Sequence, residues 1–183
     1  MAAHPIAPPL TVDEFLHVHG GNDDHRCELI DGEALERPLT GYTHDIVKNN
    51  IKELFDGSGI REQAFRCLIE HSFRMADLDA FTPDVAIIRK ERLTGRTDNS
   101  PTTGAPEIAI EVAINDTPSV LQHKTSTYLK NGAHAVCCAY PDGKYVVVYT
   151  AHEWRELRVE DTLEFATLLP GIIISIAAIF EGV

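Results

Sequence analysis

Apolar and small residues alternate between positions 107 and 114, and this is the clearest pattern in the chain. The apolar members are Ile108, Ile110, Val112 and Ile114, and their spacing predicts a buried strand. A single carboxylate, Glu111, interrupts the apolar run. An unpaired carboxylate among such neighbours costs several kcal/mol or shifts its pKa, so we expect a metal ion or another cation beside Glu111.

A helix is expected after this strand, starting at Pro118 or Ser119 and ending at Gly132. At 100° per residue, Lys124 lies at the edge of the apolar face of this helix and can lean toward the sheet. If the helix packs back on the strand, the Lys124 ammonium group lies near the Glu111 carboxylate.

The other elements are shorter or less regular. Thr11 and Glu14 have the spacing of a capping box and predict a short helix, and Asp31-Gly32 predicts a tight hairpin whose first strand carries Glu28. A helix is expected over 43–55, with Thr43 as N-cap and Gly57 as stop, and strands are expected at 26–30, 33–37 and 84–88. Residues 64–75 are expected to form a pair of strands or one bent strand. The remaining expectations are a loop over 91–105 as a mobile flap and an antiparallel meander of 133–140, 145–150 and 152–159.

Length and composition indicate one globular domain. The chain has 183 residues, of which 44% are hydrophobic and 24% charged, and these values are ordinary for a protein with a substantial core. We expect a flexible lead-in at 1–10 and a single domain at 11–183. The formal net charge of -12 argues against a non-specific nucleic-acid coat protein, but it is compatible with a local basic groove.

The cysteines and the apolar segments favour a cytoplasmic protein. The four cysteines, of which Cys137 and Cys138 are adjacent, lack metal-site spacing, so buried reduced thiols are expected. The first ten residues lack the features of an export signal, and the apolar stretch 168–180 is too short for a membrane span. We therefore expect no membrane association.

Two acids and a lysine in this arrangement suit a magnesium site. Mg²⁺ takes one or two carboxylates, sometimes a backbone carbonyl, and several waters, so Asp84, Glu111 and the carbonyl of Val112 would suffice. Such an ion lowers the pKa of a bound water and stabilises the charge that builds on a phosphorane, and a nearby lysine orients the attacking group. The chemistry indicated is phosphodiester hydrolysis.

The order of several motifs along the chain, rather than any one of them, carries a family resemblance. These motifs are Cys27-Glu-Leu-Ile-Asp-Gly32, Pro83-Asp-Val-Ala-Ile-Ile88, Pro106-Glu-Ile-Ala-Ile-Glu-Val112, Lys124, Tyr128 and Gly132. From Thr11 to the terminal Leu-Leu-Pro-Gly segment, the chain resembles the Uma-type putative restriction endonucleases, a branch of the PD-(D/E)XK nuclease superfamily. The resemblance implies an α/β (α+β) restriction-endonuclease-like fold, in which helices flank a mixed sheet, here with an N-terminal hairpin and a C-terminal antiparallel meander.

The resemblance also implies roles for individual residues. Asp84 and Glu111 match the ligands of Mg²⁺ (or Mn²⁺), and Lys124 matches the superfamily lysine, displaced from its usual strand onto the following helix. Glu28 matches an acid that adds a ligand or positions a water. His44 matches a histidine at the start of the first core helix.

The chain departs from the family pattern near the site. Ala113-Ile-Asn115 stands where the family has a Val-Leu-Ser-Pro run, and Val120 replaces an acid one helical turn before Lys124. The aromatic segment after Gly132 has become Ala135 to Tyr140. These changes leave the expected metal ligands in place but remove groups that would orient the lysine, so reduced activity is one expectation.

Each candidate residue also has a purely structural interpretation. Glu111 would pair with an arginine or lie at a sheet edge, Asp84 would begin a strand, and Lys124 would extend its stem over the apolar face. Glu28 would flank the Asp-Gly turn, and His44 would occupy a first helical turn. Tyr128 would serve packing.

Two functions of different classes follow. The first is a Mg²⁺-dependent endonuclease acting on DNA as a homodimer, with a local positive field supplied by basic residues: Arg66, Arg74, Arg89, Lys90 and Arg92. The second is a catalytically inactive interaction module or subunit that keeps the nuclease fold. Metal binding that depends on Asp84 and Glu111 discriminates between them.

Overall fold

A computed structural model of the chain describes residues 8–19, 27–37, 39–95, 100–114 and 116–183. The α-helices are α1 (Val12–His19), α2 (Tyr42–Gly57), α3 (Pro118–Lys130) and α4 (Ile176–Ile179). The strands are β1 (Cys27–Ile30), β2 (Glu33–Glu36), β3 (Phe65–Ile69), β4 (Phe73–Ala76), β5 (Asp79–Phe81), β6 (Val85–Arg89), β7 (Thr102–Thr103), β8 (Ile108–Val112), β9 (Ala135–Tyr140), β10 (Tyr145–Tyr149), β11 (Trp154–Leu157), β12 (Thr162–Glu164) and β13 (Ile173–Ser175).

The larger sheet is mixed and has the order β11-β10-β9-β8-β6-β3. Strands β8 and β9 are parallel, and α3 connects them, as a parallel pair requires a crossover. The other neighbours in this sheet are antiparallel, and β9, β10 and β11 form the expected meander. A second sheet has the order β2-β1-β5-β4-β7, and β12 pairs with β13.

The two faces of the larger sheet bury different cores. Along β6 and β8, Val85 and Ile110 pack in the core that includes α2 and the C-terminal segment. Ala86 and Ala109 pack on the opposite face, in the core shared with α3 and the second sheet. Side chains alternate between faces along a strand, so Glu111, one residue beyond Ile110, projects toward α3.

The hairpin between β1 and β2 closes through the predicted two-residue turn. Asp31 and Gly32 have φ values of 51° and 77°, as a type I′ turn requires, and Ile30 pairs directly with Glu33. Leu29 pairs with Ala80 of β5, so the hairpin joins the second sheet. Arg26, placed in the first strand from the sequence, lies outside the described residues, as do residues 1–7 of the expected lead-in.

The helix starts show one confirmed prediction and one correction. The Thr11 N–H donates to Glu14 Oε2 at 2.8 Å and the Glu14 N–H donates to Thr11 Oγ1 at 3.3 Å, which is the expected capping box. The prediction of Thr43 as the N-cap of α2 is wrong. Gly41 is the N-cap, in an extended conformation without a side-chain hydrogen bond, and the helix begins at Tyr42.

The described ends of the 91–105 segment are structured rather than loop-like. A 3₁₀ turn covers Lys90–Leu93, and β7 pairs in parallel with β4. The Arg92 guanidinium donates to the carbonyl oxygens of Ala105 and Thr103 at 2.7 and 2.9 Å, and these bonds tie the two ends together. Residues 96–99 of the proposed flap lie outside the described part.

The apolar C-terminal stretch is divided between β13 and α4, and Ile174, Ile176 and Ile179 are buried in the core. Within the described ranges, no helix is both long enough and apolar enough to cross a membrane.

Candidate active site

The strand register brings Asp84 and Glu111 together. Val85 pairs with Ile110 and Ala86 pairs with Ala109 in the antiparallel ladder of β6 and β8. Continuing this register by one residue places Asp84 opposite Glu111. Directly opposed residues project to the same face with their Cβ atoms about 5 Å apart, so both carboxylates enter the space beneath α3.

Lys124 connects Glu111 with the second sheet. Its Nζ lies 2.8 Å from Glu111 Oε1 and 3.0 Å from Glu28 Oε2. One helical turn later, the Tyr128 hydroxyl donates to the same Glu111 oxygen at 2.8 Å. Lys124 leans toward the sheet as the helical spacing predicts, and it is 2% exposed rather than a surface lysine.

Glu28 is fixed by the backbone of the neighbouring strand connection. The Thr82 N–H donates to Glu28 Oε1 at 2.6 Å, and Glu28 is 5% exposed. Because Glu28 lies on β1 and Thr82 follows β5, the pairing of these two strands sets the position of the carboxylate. Glu28 therefore does more than flank the turn at Asp31.

Asp84 is held by three groups from different elements. The Val112 N–H donates to Oδ2 at 2.7 Å, and His44 Nε2 lies 3.2 Å from the same oxygen. The Arg37 guanidinium donates to Oδ1 at 2.8 Å. Burial opposes ionisation, but His44, Arg37 and the Val112 N–H outweigh it and lower the pKa of Asp84 below its ordinary value.

The charges of the site favour an additional cation at Glu111. Burial raises the pKa of Glu111 to about 7; the Lys124 ammonium opposes the shift, and the charges of Asp84 and Glu28 add to it. Burial acts to lower the pKa of Lys124, but Glu111 and Glu28 raise it above its ordinary value, so the lysine stays protonated. Asp116, at the rim, also has a raised pKa because of burial.

These side chains surround a cavity of about 250 Å³. Glu28, Asp84, Glu111 and Lys124 line it together with Val112, whose N–H supports Asp84. His44 lines it as well; burial acts to lower its pKa, but the hydrogen bond and charge of Asp84 raise it. The structure thus brings all the sequence-predicted site residues to one place.

Sequence reasoning missed Arg37 and named other basic residues for the positive field. The five basic residues named for that role do not line the cavity. Arg74 instead contacts Asp13, and Arg92 contacts Glu107. Arg37 follows β2 directly, and its contact with Asp84 spans 47 positions, so local spacing gives no signal for it.

The donor atoms suit a hard divalent cation. Glu28, Asp84 and Glu111 present carboxylate oxygens to one cavity, and such oxygens are the ligands that Mg²⁺ and Mn²⁺ prefer. In the part of the chain that the structure describes, no group of three or more His, Cys, Asp or Glu side chains is close enough to hold a metal by itself. A Mg²⁺ site does not require one, because the ion usually keeps several waters.

Comparison with known proteins identifies the fold and the family of the chain. No curated protein matches it detectably. The crystal structure of a putative nuclease belonging to DUF820 from Anabaena variabilis matches with a TM-score of 0.81 and 20% sequence identity, covering 94% of this chain and 98% of that chain. At this identity the likeness shows a shared fold, and it confirms the predicted restriction-endonuclease-like architecture.

The family resemblance of the sequence motifs is also confirmed. The model of the family Uma2, described as "Putative restriction endonuclease", matches residues 12–177. That span includes every residue assigned to the cavity, from Glu28 to Lys124. The chain belongs to the Uma2 family of putative restriction endonucleases.

Proposed function

We propose that this chain is a metal-dependent endonuclease that hydrolyses DNA phosphodiester bonds at the cavity beneath α3. The observation that carries the proposal is the convergence of Asp84 and Glu111 from adjacent strands with Lys124 from the following helix. Membership of the nuclease family supports the same reaction class.

Asp84 and Glu111 would hold Mg²⁺ or Mn²⁺, with the Val112 carbonyl as a further oxygen ligand. When bound, the ion would acidify a water molecule and stabilise the negative charge that develops on the phosphoryl group. Burial and two neighbouring carboxylates raise the pKa of Glu111, so extra positive charge there is favourable.

Lys124 acts as a hydrogen-bond donor in this scheme. Because Glu111 and Glu28 raise its pKa, Lys124 remains protonated and cannot serve as a general base at neutral pH. Its ammonium group can orient the attacking water or donate to a phosphoryl oxygen. Glu28 is then a positioning residue, because it holds Lys124 at 3.0 Å and is itself anchored by the Thr82 N–H.

The proposed substrate is DNA, and the proposed assembly is a homodimer, since two sites are needed to cut both strands at once. The net charge of -12 opposes the approach of a polyanion. Arg37 and Lys124 on the cavity wall and the bound metal would supply the local positive charge.

Metal binding and cleavage test the proposal together. We expect Mn²⁺ binding by calorimetry and nicking of supercoiled plasmid, both lost in Asp84→Ala and Glu111→Ala. Asp84→Asn and Glu111→Gln keep side-chain volume and provide folded variants if the alanine variants unfold. The control is Asp142→Ala, which removes an exposed acid outside this cavity and should leave both signals intact. A folded wild-type protein without metal affinity would instead favour the inactive interaction module.

A further inference from the structure

We propose that Arg37 competes with the metal for Asp84 and that, once displaced, its guanidinium binds the phosphate of the substrate. This inference rests on the proposed function and assigns a role within the same cavity. Without a bound metal ion, the Arg37 guanidinium neutralises Asp84, to which it donates at 2.8 Å. In the loaded protein, it becomes a contact to the scissile phosphate.

Arg37 and the other partners of Asp84 contact different carboxylate oxygens. Oδ2 is engaged by the Val112 N–H and His44 Nε2, at 2.7 and 3.2 Å. Oδ1 accepts from Arg37 at 2.8 Å, and Arg37 lines the cavity. A metal held by Asp84 within the cavity would therefore compete with the guanidinium for this carboxylate.

Arg37 can move more easily than the groups around it. Its side chain is 18% exposed, whereas that of Asp84 is 4% exposed. The residue follows β2, which is an edge strand of the second sheet. Among the described residues, its ion pair is with Asp84. The partners on Oδ2, by contrast, belong to β8 and α2, which pack in the core.

The chemistry of the guanidinium group fits both positions. A divalent cation at Asp84 repels Arg37 and removes the acceptor that it had. A phosphate oxygen offers a new acceptor, and the planar guanidinium binds phosphate through two parallel hydrogen bonds. Arg37 also interacts electrostatically with Glu28 and Glu111. When Arg37 is displaced, these carboxylates lose part of their compensating positive charge, and the metal ion replaces it.

The competition predicts opposite effects on metal affinity and on cleavage. Arg37→Gln removes the competing charge, so we expect Mn²⁺ to bind about tenfold tighter, the equivalent of one charge-assisted hydrogen bond. Mn²⁺ should raise Tm more in the variant than in the wild type. Nicking at saturating Mn²⁺ should fall about a hundredfold, because one donor to the phosphoryl group is lost.

Two further variants separate the local effect from a change in net charge. Arg61→Gln removes the same charge from a side chain that is 60% exposed and outside the cavity, and it should change neither metal affinity nor cleavage. Arg37→Lys keeps the charge and should restore competition for the metal, but without the paired donors that bind phosphate. If Arg37→Gln unfolds, Arg37→Lys still tests whether cleavage falls while metal affinity stays near that of the wild type.

The outcomes distinguish this inference from the proposed function. Metal binding and nicking by the wild type, with equal or weaker affinity in Arg37→Gln, would overturn the role of Arg37 and leave the nuclease proposal intact. Tighter binding with unchanged nicking would overturn the phosphate contact. If neither protein binds metal while both remain folded, the nuclease proposal and this inference both fail.

Discussion

Lys124 is the residue on which the charge balance of the site depends. Its side chain is 3% exposed and contacts both Glu111 and Glu28, so one ammonium group forms ion pairs with two buried carboxylates. A buried ion pair gives little net stability relative to an apolar core, but removing one partner leaves an uncompensated charge. Lys124 therefore links the two sheets only as long as its charge is present.

Replacing Lys124 with methionine should destabilise the metal-free protein strongly. We expect the free energy of unfolding to fall by about 3–5 kcal/mol, because Glu28 and Glu111 both lose the ammonium group that contacts them and are left buried as like charges. Urea unfolding monitored by circular dichroism measures this change.

Lys130→Met on the same helix is the matched control. Lys130 is exposed, so its replacement should change the free energy of unfolding by no more than about 0.5 kcal/mol. Equal effects of the two substitutions would show that the contacts of Lys124 add nothing to stability.

Some residues of the site could be identified from local patterns or from the family resemblance, but the contacts between them depend on the fold. Glu111 interrupts an apolar strand, and Lys124 lies at the edge of the apolar face of its helix. The positions of both residues could therefore be predicted from spacing. The contacts of Arg37 and His44 with Asp84 cross 47 and 40 positions, and they depend on how the hairpin and α2 pack. Packing between distant segments leaves no local periodicity, so these contacts could not be predicted.

At the scale of elements, the β1–β2 hairpin is the part that completes the site. It carries Glu28 within β1 and Arg37 just after β2, and both reach the cavity. Its position depends on the turn at Gly32, where an added Cβ would lie 2.3 Å from Pro9 Cβ and φ is +77°. Position 32 must therefore be glycine for two independent reasons, the positive φ and the close approach of Pro9.

Gly32→Ala should loosen the hairpin and weaken the site. The positive φ costs about 1–2 kcal/mol for a residue with a Cβ, and the clash with Pro9 adds about 1–3 kcal/mol. Nicking should fall as well, because Glu28 and Arg37 move with the hairpin. Thermal unfolding and plasmid cleavage report the two effects.

Gly171→Ala separates the cost of the positive φ from the cost of the clash with Pro9. Gly171 has the same φ of +77° but no heavy atom within 4 Å of an added Cβ, so only the backbone cost applies. We expect about half the destabilisation of Gly32→Ala and unchanged nicking. A Gly171→Ala protein as unstable as Gly32→Ala would mean that the contact with Pro9 is unimportant.

Element identity was more predictable than element pairing. The hairpin turn, the α1 capping box and the helix after β8 depend on neighbouring residues, and all three are confirmed. The second sheet was not predicted, because it joins β1 to β5 and β4 to β7 across long sequence separations. The N-cap of α2 was misplaced because Gly41 caps the helix through backbone conformation alone.

At the scale of the whole molecule, the charge is strongly negative, and acids also outnumber lysines and arginines on the wall of the cavity. The formal net charge is -12, yet Arg37 and Lys124 both line the cavity. A phosphate would therefore be held at short range by these two side chains and by the bound metal, rather than drawn in by the field of the whole protein. DNA binding should therefore rest on few ionic contacts.

The salt dependence of DNA binding tests directly whether binding rests on few ionic contacts. With Arg37 and Lys124 as the phosphate contacts, the slope of log Kobs against log[KCl] for duplex DNA should be about −2 per protomer, and about −4 for a homodimer that engages both strands. Fluorescence anisotropy with a labelled duplex, at fixed Mn²⁺ and over times short relative to cleavage, measures it. Arg37→Gln should reduce the slope by about 1 per protomer, whereas Arg61→Gln should leave it unchanged. A wild-type slope steeper than about −6 would require a larger basic surface than the cavity provides.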